Sequence, residues 1–431
     1  MKKFILVALL IVCLAIPSFG IMAHAQKQVT LSAWTHDQLY LDYFNSRLSE
    51  WEAANPDISF TYDFRQVSNA PEAVLTALAA GEEVPDLLGI EQGQFPNYMK
   101  DGIIAKHFLD LTDLIGDRRS QYAEGRWALY SYEGRIYAVE SQLAASVYYY
   151  QPAIFEANGV EVPKTWEEAL QQAKDVFGPK GIALGIATDN ENWFAMMLNQ
   201  RGGAVFDQNG EFVLANEENK TLAVEVAAFI QEGVKDGLFL VVPDSEMWSG
   251  VTIPTAHREG RLAGEILPDW WSSCCLKPGV EDMAGQWRIA PPFVWEGGGY
   301  KTQVWGGTGW AVSTDTDNTD IAWKFLDFMY LGHESQVQRF EKINMFPTMF
   351  EAMKDPRVSE LTDPFYGDQA VGAVFAEIAD GVPVWYQSPF RAAFNTASKD
   401  NCPLLFDGTL SPEEFVDELI RVTQEEIEFA S

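Results

Sequence analysis

Residues 29–34 read VTLSAW, and the alternation of polar and apolar side chains in this stretch predicts a β-strand. Apolar residues at helical spacing then predict a helix over residues 39–54, which ends before Pro56. The pattern continues with a strand, a helix and a strand, at 58–64, 71–80 and 86–90. This β-α-β-α-β order is typical of a parallel sheet covered by helices on both faces, so the predicted fold class is α/β.

The segment 135–150 is rich in strand-forming residues but is longer than an ordinary strand. Because it carries polar side chains at 140–142, we expect it to leave one domain and enter another. From Pro152 the α/β alternation resumes, with helices predicted at 166–177, 193–201 and 217–235. A chain of 431 residues also exceeds the usual size of one hydrophobic core, which favours two domains.

The N-terminus has the layout of a secretory signal peptide. A basic start is followed by an apolar stretch at 4–16, too short to span a bilayer, and by a small-x-small site that predicts cleavage after Ala25. Cys13 lies inside the apolar stretch and follows Val12, which does not fit a lipid-acceptor cysteine. We therefore expect an exported, untethered, soluble protein in the periplasm or the extracellular space.

The charge and the cysteine content of the chain limit the partners, disulfides and metal sites that we expect. The chain has 62 acidic and 30 basic residues, and removal of two lysines with the signal changes the net charge from -32 to -34. Such a surface repels phosphate backbones and anionic lipids, so we expect no nucleic-acid partner. Cys274 or Cys275 could form a disulfide with Cys402. The sequence shows no zinc-like Cys/His spacing, so we expect no metal and no cofactor.

Several short segments, in this order and spacing, resemble the extracellular solute-binding proteins of ABC sugar importers, the group that includes maltose-binding protein. They are LSAW at 31–34, PDLL at 85–88, GRIYA at 134–138, PKTW at 163–166, EGRLA at 259–263, WGGTG at 305–309 and DIAWKFL at 320–326. FYGDQ at 365–369 and SPF at 388–390 are similar to a subgroup for small sugars such as arabinose, galactosides or lactose.

The resemblance implies two α/β lobes joined by three crossing segments, with a sugar bound between them and a membrane permease pair as the protein partner. The crossings are expected near 140–143, after Pro292 and near 345–347. Lobe 1 would then comprise 26–141 and 293–346, and lobe 2 would comprise 142–292 and 347–431. We expect a monomer.

A sugar ring offers flat C–H faces that pack on aromatic rings, and hydroxyl groups that need matched donors and acceptors. Aromatic and polar side chains that follow predicted strands are therefore the candidate ligand contacts. Trp270 matches the stacking position of the family, and Gln142 matches a polar position at its hinge. The full set is Trp34, His36, Asp37, Glu91, Gln92, Gln142, Asn192, Trp193, Trp270, Thr308, Tyr366, Gln369, Trp385 and Tyr386.

Some of these residues have structural alternatives. Trp34 could be a core residue and Asp37 a helix N-cap. Asn192 and Trp193 could simply begin a helix. The Gly-Gly-Thr-Gly loop around Thr308 gives a ligand close access to the backbone, but it lacks the lysine and the strand–loop–helix context of a phosphate loop.

These residues predict a binding protein without catalytic residues. One alternative is a binder of another solute, either a peptide or a metal ion. The other is a secreted glycoside hydrolase, which would need two carboxylates about 5 Å or 6.5–9.5 Å apart. Neither a nucleophilic serine motif nor a metal-ligand motif occurs in the sequence.

Overall fold

The structure, a computed structural model, describes residues 26–430. The predicted signal peptide lies outside the described residues. The strands are β1 (Lys27–Thr35), β2 (Ile58–Gln66), β3 (Leu87–Glu91), β4 (Ser131–Tyr132), β5 (Arg135–Ile136), β6 (Ala138–Glu140), β7 (Ser146–Tyr150), β8 (Gly185–Ala187), β9 (Phe239–Val241), β10 (Gly264–Pro268), β11 (Arg288–Ala290), β12 (Thr308–Val312), β13 (Thr362–Asp363) and β14 (Gln369–Ala370).

Helices cover the sheets and supply most of the C-terminal part. They are α1 (Gln38–Ala54), α2 (Ala70–Ala80), α3 (Phe95–Met99), α4 (Ile103–His107), α5 (Thr112–Ile115), α6 (Glu124–Ala128), α7 (Pro152–Asn158), α8 (Trp166–Gln172), α9 (Trp193–Arg201), α10 (Glu217–Lys235), α11 (Asp244–Met247), α12 (Thr252–Arg258), α13 (Lys277–Gly279), α14 (Thr319–Tyr330), α15 (His333–Ile343), α16 (Phe350–Met353), α17 (Pro356–Ser359), α18 (Val371–Ile378), α19 (Arg391–Phe406) and α20 (Pro412–Ala430).

The first lobe is built on a five-stranded sheet in the order β2-β1-β3-β12-β6. β1 pairs in parallel with both β2 and β3, as the β-α-β-α-β pattern predicts. β12 returns late in the chain and runs antiparallel to β3. Because β1 and β3 are adjacent and parallel, their carboxyl ends open on the same edge of the sheet, and the residues after Thr35 and Glu91 meet there.

The chain leaves the first sheet after β6 and enters a three-stranded sheet, β10-β7-β11, in the second lobe. Within the segment predicted to cross between domains, the backbone is strand-like only up to Glu140 and again from Ser146. Leu143 N donates to Phe346 O at 3.0 Å, and Trp305 N donates to Ala144 O at 3.2 Å. Three separate stretches of chain therefore run side by side here. The exact lobe boundaries remain a prediction.

The core of the first lobe shows why its helices take these positions. α1 begins at the N-cap Asp37, whose Oδ1 accepts from Leu39 N at 2.9 Å. Its buried face carries Phe44, whose ring lies 4.7 Å from that of Trp310 on β12. Burial of large aromatic rings at such contacts is the main source of stability in a core of this kind.

The cysteine prediction needs a correction. Cys274 and Cys275 form a disulfide with each other, so the alternative in which one of them bridges to Cys402 is wrong. Cys402 is buried in α19, where burial raises the pKa of its thiol to about 12, and it forms no disulfide within residues 26–430. In that same range, no helix has both the length and the apolar character that crossing a bilayer requires.

Candidate functional site

The loop that leads into β12 joins the two sides of the space between the lobes. We call this space the cleft; Glu91 bounds it on the first lobe, and Glu191 and Trp270 bound it on the second. Gly306 adopts a φ of 71°, and a Cβ there would lie 3.4 Å from Trp270 Nε1. Thr308, which is buried, is the register partner of Glu91 on β3. The glycine thus lets the loop pass close to the edge of the indole, while the end of the loop reaches the acidic side of the cleft.

The first lobe brings its predicted polar residues to one sheet edge. Trp34 lies near the end of β1 and His36 follows it, both side chains are partly buried, and Glu91 ends β3. His36 lies 6.0 Å from the Tyr40 ring, and burial lowers the pKa of its imidazole. The buried atoms that have no hydrogen-bond partner among the described residues include His36 Nδ1, Gln92 Oε1 and Gln142 Oε1. A cluster of such atoms is typical of a site for a polar ligand, because each buried polar group needs a partner.

Two carboxyl groups from different lobes lie close to Gly93. A Cβ at Gly93 would lie 2.9 Å from Glu91 Oε2 and 3.9 Å from Glu191 Oε1. Glu91 Oε2 accepts from Gly93 N at 2.6 Å, and Glu191 Oε1 accepts from Asn395 Nδ2 at 3.3 Å. Burial, with the nearby charges of Glu191 and Glu140, raises the pKa of Glu91 to about 7. The carboxyl groups of Glu91 and Glu191 thus offer hydrogen-bond acceptors to a ligand in the cleft.

This pKa predicts a measurable pH dependence. Between the ordinary carboxyl pKa of 4.5 and about 7, folded Glu91 keeps a proton that the unfolded chain has lost, so stability falls as pH rises through this window. Glu91→Gln removes the titration. We expect the melting temperature of the unliganded variant to match the wild type near pH 4.5 and to exceed it by roughly 1–3 °C at pH 8. Glu82→Gln is the control for loss of one exposed charge. A difference that stays constant with pH would contradict the assignment.

The second lobe supplies an aromatic surface. Trp270 is half-buried and donates from Nε1 to Trp305 O at 2.8 Å, which fixes the orientation of its ring. Trp248 stacks on it, with 6.1 Å between ring centroids and 21° between planes, and remains 49% exposed. Trp271 points the other way and is buried. Of these two adjacent tryptophans, only Trp270 is therefore part of the half-exposed aromatic surface.

A buried ion pair contacts the loop that lines the cleft. Arg126 donates to Glu140 Oε2 at 2.7 Å and to Gly306 O at 3.0 Å. Glu140 Oε1 accepts from Ser141 N at 2.9 Å and from Gln142 N at 3.3 Å. Burial raises the pKa of Glu140 despite the attraction of Arg126. The pair ties α6 to the segments that pass between the lobes, and it holds the backbone of Gln142 in place.

The loop before α19 reaches across to the first lobe. Gln387 Nε2 donates to Gln92 O at 2.9 Å, which is a direct contact between the lobes. Next to it, Tyr386 is partly buried and lines a polar cavity of about 490 Å³, which also includes Arg119 on the first lobe. Trp385 is buried, with the guanidinium of Arg391 4.2 Å from its ring centroid.

Other predicted site residues are engaged in contacts within the protein. Asn192 stands at the N-cap position of α9 without a side-chain capping bond, and Trp193 begins the helix and packs in the core against Phe239 and Phe406. The Tyr366 hydroxyl lies 2.6 Å from Ser272 Oγ. The Gln369 amide bonds to both N and O of Ile289. These contacts favour structural roles for Trp193, Tyr366 and Gln369, whereas Asn192 keeps a partly exposed side chain.

The candidate set from the sequence omits two residues that the structure places at the cleft. Glu191 lies in the strand-to-helix loop whose Asn192 and Trp193 were selected, so the segment was identified but not the side chain. Trp248 follows the short helix α11 and has no sequence signal, because its position depends on contact with Trp270. Among residues 26–430, no group of three or more His, Cys, Asp or Glu side chains could hold a metal ion.

Comparison with known proteins agrees with this architecture. The family model for bacterial extracellular solute-binding proteins matches residues 47–363. An arabinooligosaccharide-binding protein of Halalkalibacterium halodurans is 27% identical over 81% of this chain and 78% of its own, and one of Bacillus subtilis is 24% identical over 90% and 89%. The fold is similar to that of a maltose-binding protein of Listeria monocytogenes, with a TM-score of 0.72, 19% identity and coverage of 94% and 99%. The chain therefore belongs to the family of bacterial extracellular solute-binding proteins.

Proposed function

We propose that this solute-binding protein captures a carbohydrate in the cleft and delivers it to the permease of an ABC importer. The family consists of binding proteins rather than enzymes. Two of the relatives described above are named as arabinooligosaccharide-binding proteins. A lactose-binding protein of Rhizobium radiobacter is 24% identical over 93% of this chain. These names support an oligosaccharide, and the choice among sugars is part of the proposal.

The observation that carries the proposal is that one short loop, residues 306–308, contacts both an aromatic surface and an acidic acceptor. Trp270 lies against Gly306, and Glu91 is paired with Thr308 two residues later. A sugar ring needs this combination, because its C–H face packs on an indole while its hydroxyls donate to carboxyl and amide oxygens. A peptide would instead need acceptors and donors for its backbone, and a metal ion would need several clustered ligands.

We further propose that ligand binding stabilises the closed arrangement of the two lobes, with boundaries at 26–141 and 293–346 for one and 142–292 and 347–431 for the other. The bond between Gln387 and Gln92 is a contact that closure would form. A sugar that touches Glu91 and Trp270 at once binds the closed form more tightly than the open form, and this difference drives closure. The closed monomer, exported to the periplasm or the extracellular space, is the species that would dock on the permease.

Within the candidate set, we propose that Trp270 stacks on the sugar. Acceptors for its hydroxyls would be Glu91, Gln92, Gln142 and, in addition, Glu191. The other candidates at the rim, as proposed contacts, are Trp34, His36, Asp37, Asn192, Thr308, Trp385 and Tyr386. The acidic surface, with a net charge of -32 for the full chain, supports the proposal that nucleic acid is not a partner.

A thermal-shift screen tests the proposal. The mature protein is melted with arabinooligosaccharides, lactose, maltotriose, short peptides and divalent metal ions, each at a concentration in the millimolar range. A ligand present at 1,000 times its dissociation constant stabilises the folded state by about 4 kcal/mol, so we expect a rise of several degrees with at least one sugar. A rise with peptides or metals, and none with any sugar, would overturn the proposal.

A further inference from the structure

A pocket next to the cleft has no role in the function proposed so far. It lies beneath the Cys274–Cys275 disulfide, between α12 and the turn that follows Trp271, and its volume is about 200 Å³. We call it the disulfide pocket; its main lining residues are Trp248, Ile253, His257, Glu265, Trp271 and the two cysteines. This volume is below the range of about 300–1,000 Å³ typical of drug-sized ligands, so the pocket fits one small ring.

Two polar atoms at the closed end of the disulfide pocket lack partners. His257 and Glu265 have side chains that are 0% exposed, and their Nε2 and Oε2 atoms lie 3.5 Å apart, too far for a good hydrogen bond. Neither atom has a hydrogen-bond partner in the described part of the chain. A buried polar atom without a partner is costly, so these two atoms are the ones that a group bound in the disulfide pocket would contact.

The contacts of the remaining atoms show what that group must offer. His257 Nδ1 lies 3.0 Å from Leu262 O, and because a carbonyl only accepts, Nδ1 donates a proton to this oxygen, which leaves Nε2 to bond a hydroxyl group of a ligand. Glu265 Oε1 already accepts from Trp271 Nε1 at 2.7 Å, which leaves Oε2 as the atom that can bond a ligand. Two neighbouring polar atoms match two neighbouring hydroxyl groups of one ligand, because a hydroxyl both donates and accepts.

The rest of the lining suits the apolar face of the same ligand. A disulfide between adjacent residues closes almost no loop, and the stabilisation from a disulfide grows with the loop it closes, so this one adds little to global stability. Its effect is local, because it replaces two thiols with a fixed, polarisable apolar surface at the pocket rim. Together with the indoles of Trp248 and Trp271, this surface can pack on the C–H face of a ring.

We infer that the disulfide pocket is a sugar subsite, which takes one terminal ring of an oligosaccharide whose next ring stacks in the cleft. This inference rests on the proposed function. Trp248 links the two places, because it lines the disulfide pocket and also stacks on Trp270. With 49% of its surface exposed, Trp248 is also open to a chain that runs from one place to the other. The subsite therefore selects for chain length and for a terminal ring with vicinal hydroxyls.

The test compares chain lengths in two variants. Affinities are measured by calorimetry for arabinose and for linear arabinooligosaccharides of two to four units, and in the same way for the lactose and maltose series. Glu265→Gln keeps the acceptor for Trp271 and replaces the free acceptor with a donor. We expect wild type to bind the longer members of one series about 10- to 100-fold more tightly than the shortest ones, and Glu265→Gln to lose most of this gain while its affinity for the shortest ligand stays unchanged.

Controls separate the possible outcomes. Glu281→Gln removes one exposed charge beside the pocket and should keep the gain. Trp248→Ala changes an exposed side chain that also stacks on Trp270, so it should lower the affinity for every chain length and lower it most for the longer ones. A gain that survives in both pocket variants, or an equal loss for all chain lengths, would overturn the subsite and leave the proposed function intact. If wild type binds none of the sugars, both the subsite and the proposed function are wrong.

Discussion

Replacing Trp270 with alanine is expected to weaken sugar binding about 30- to 800-fold, which corresponds to about 2–4 kcal/mol for truncation of a large aromatic side chain at the centre of a binding site. The effect is large because the indole is already oriented: its Nε1 donates to Trp305 O at 2.8 Å, and its edge lies against Gly306. A sugar ring that stacks on the indole therefore loses this contact area in the variant. Calorimetry with the best sugar from the screen gives the affinity.

Two companion variants show whether the effect comes from stacking. Trp270→Phe keeps a flat face of smaller area and should recover part of the affinity. Trp323→Ala truncates another half-buried tryptophan, on α14 of the first lobe, and should leave the affinity unchanged while it lowers stability. If Trp270→Ala binds the sugar as tightly as wild type does, Trp270 is not a stacking residue.

The first lobe could be predicted from the sequence because its elements follow local patterns. The predicted strand at 29–34 and the predicted helix at 39–54 correspond to β1 and α1 within a few residues. The resemblance to extracellular solute-binding proteins is also confirmed. In the second lobe the agreement is looser. The predicted helix over 166–177 becomes α8 followed by a π-helical turn, because hydrogen-bond register within a continuous helical stretch has no separate sequence signal.

The candidate site was harder to predict than the fold, because local sequence patterns do not indicate which side chains meet across the cleft. Glu91 ends β3 and Trp270 follows β10, so both residues could be selected by their position at the end of a predicted strand. The contact of Trp248 with Trp270 and the approach of Glu191 to Gly93 depend on the packing of segments far apart in the chain. Conversely, Gln369 looked like a ligand residue, yet its amide is occupied by the backbone of Ile289, a contact visible only in three dimensions.

The largest expected effect on stability follows from Arg126→Met. This change leaves Glu140 buried at 2% exposure without its cation, and breaking a buried pair in this way costs about 3–5 kcal/mol. It also removes the donor to Gly306 O, on the loop that carries the cleft. We expect the melting temperature of the unliganded protein at pH 8 to fall by roughly 5 °C or more. Thermal unfolding followed by circular dichroism measures it.

The pH dependence of this loss separates an unpaired charge from a simple packing defect. Without Arg126, the pKa of folded Glu140 rises further above the ordinary value of 4.5, so the variant loses stability as pH rises through and above that value. The deficit relative to wild type should therefore be smaller at pH 5 than at pH 8. Arg126→Met combined with Glu140→Gln removes the charge as well and should recover much of the loss at pH 8, because an uncharged amide is less costly to bury than an unpaired carboxylate. A deficit that is equal at both pH values, and that the second substitution does not reduce, would show that Arg126 acts by filling space.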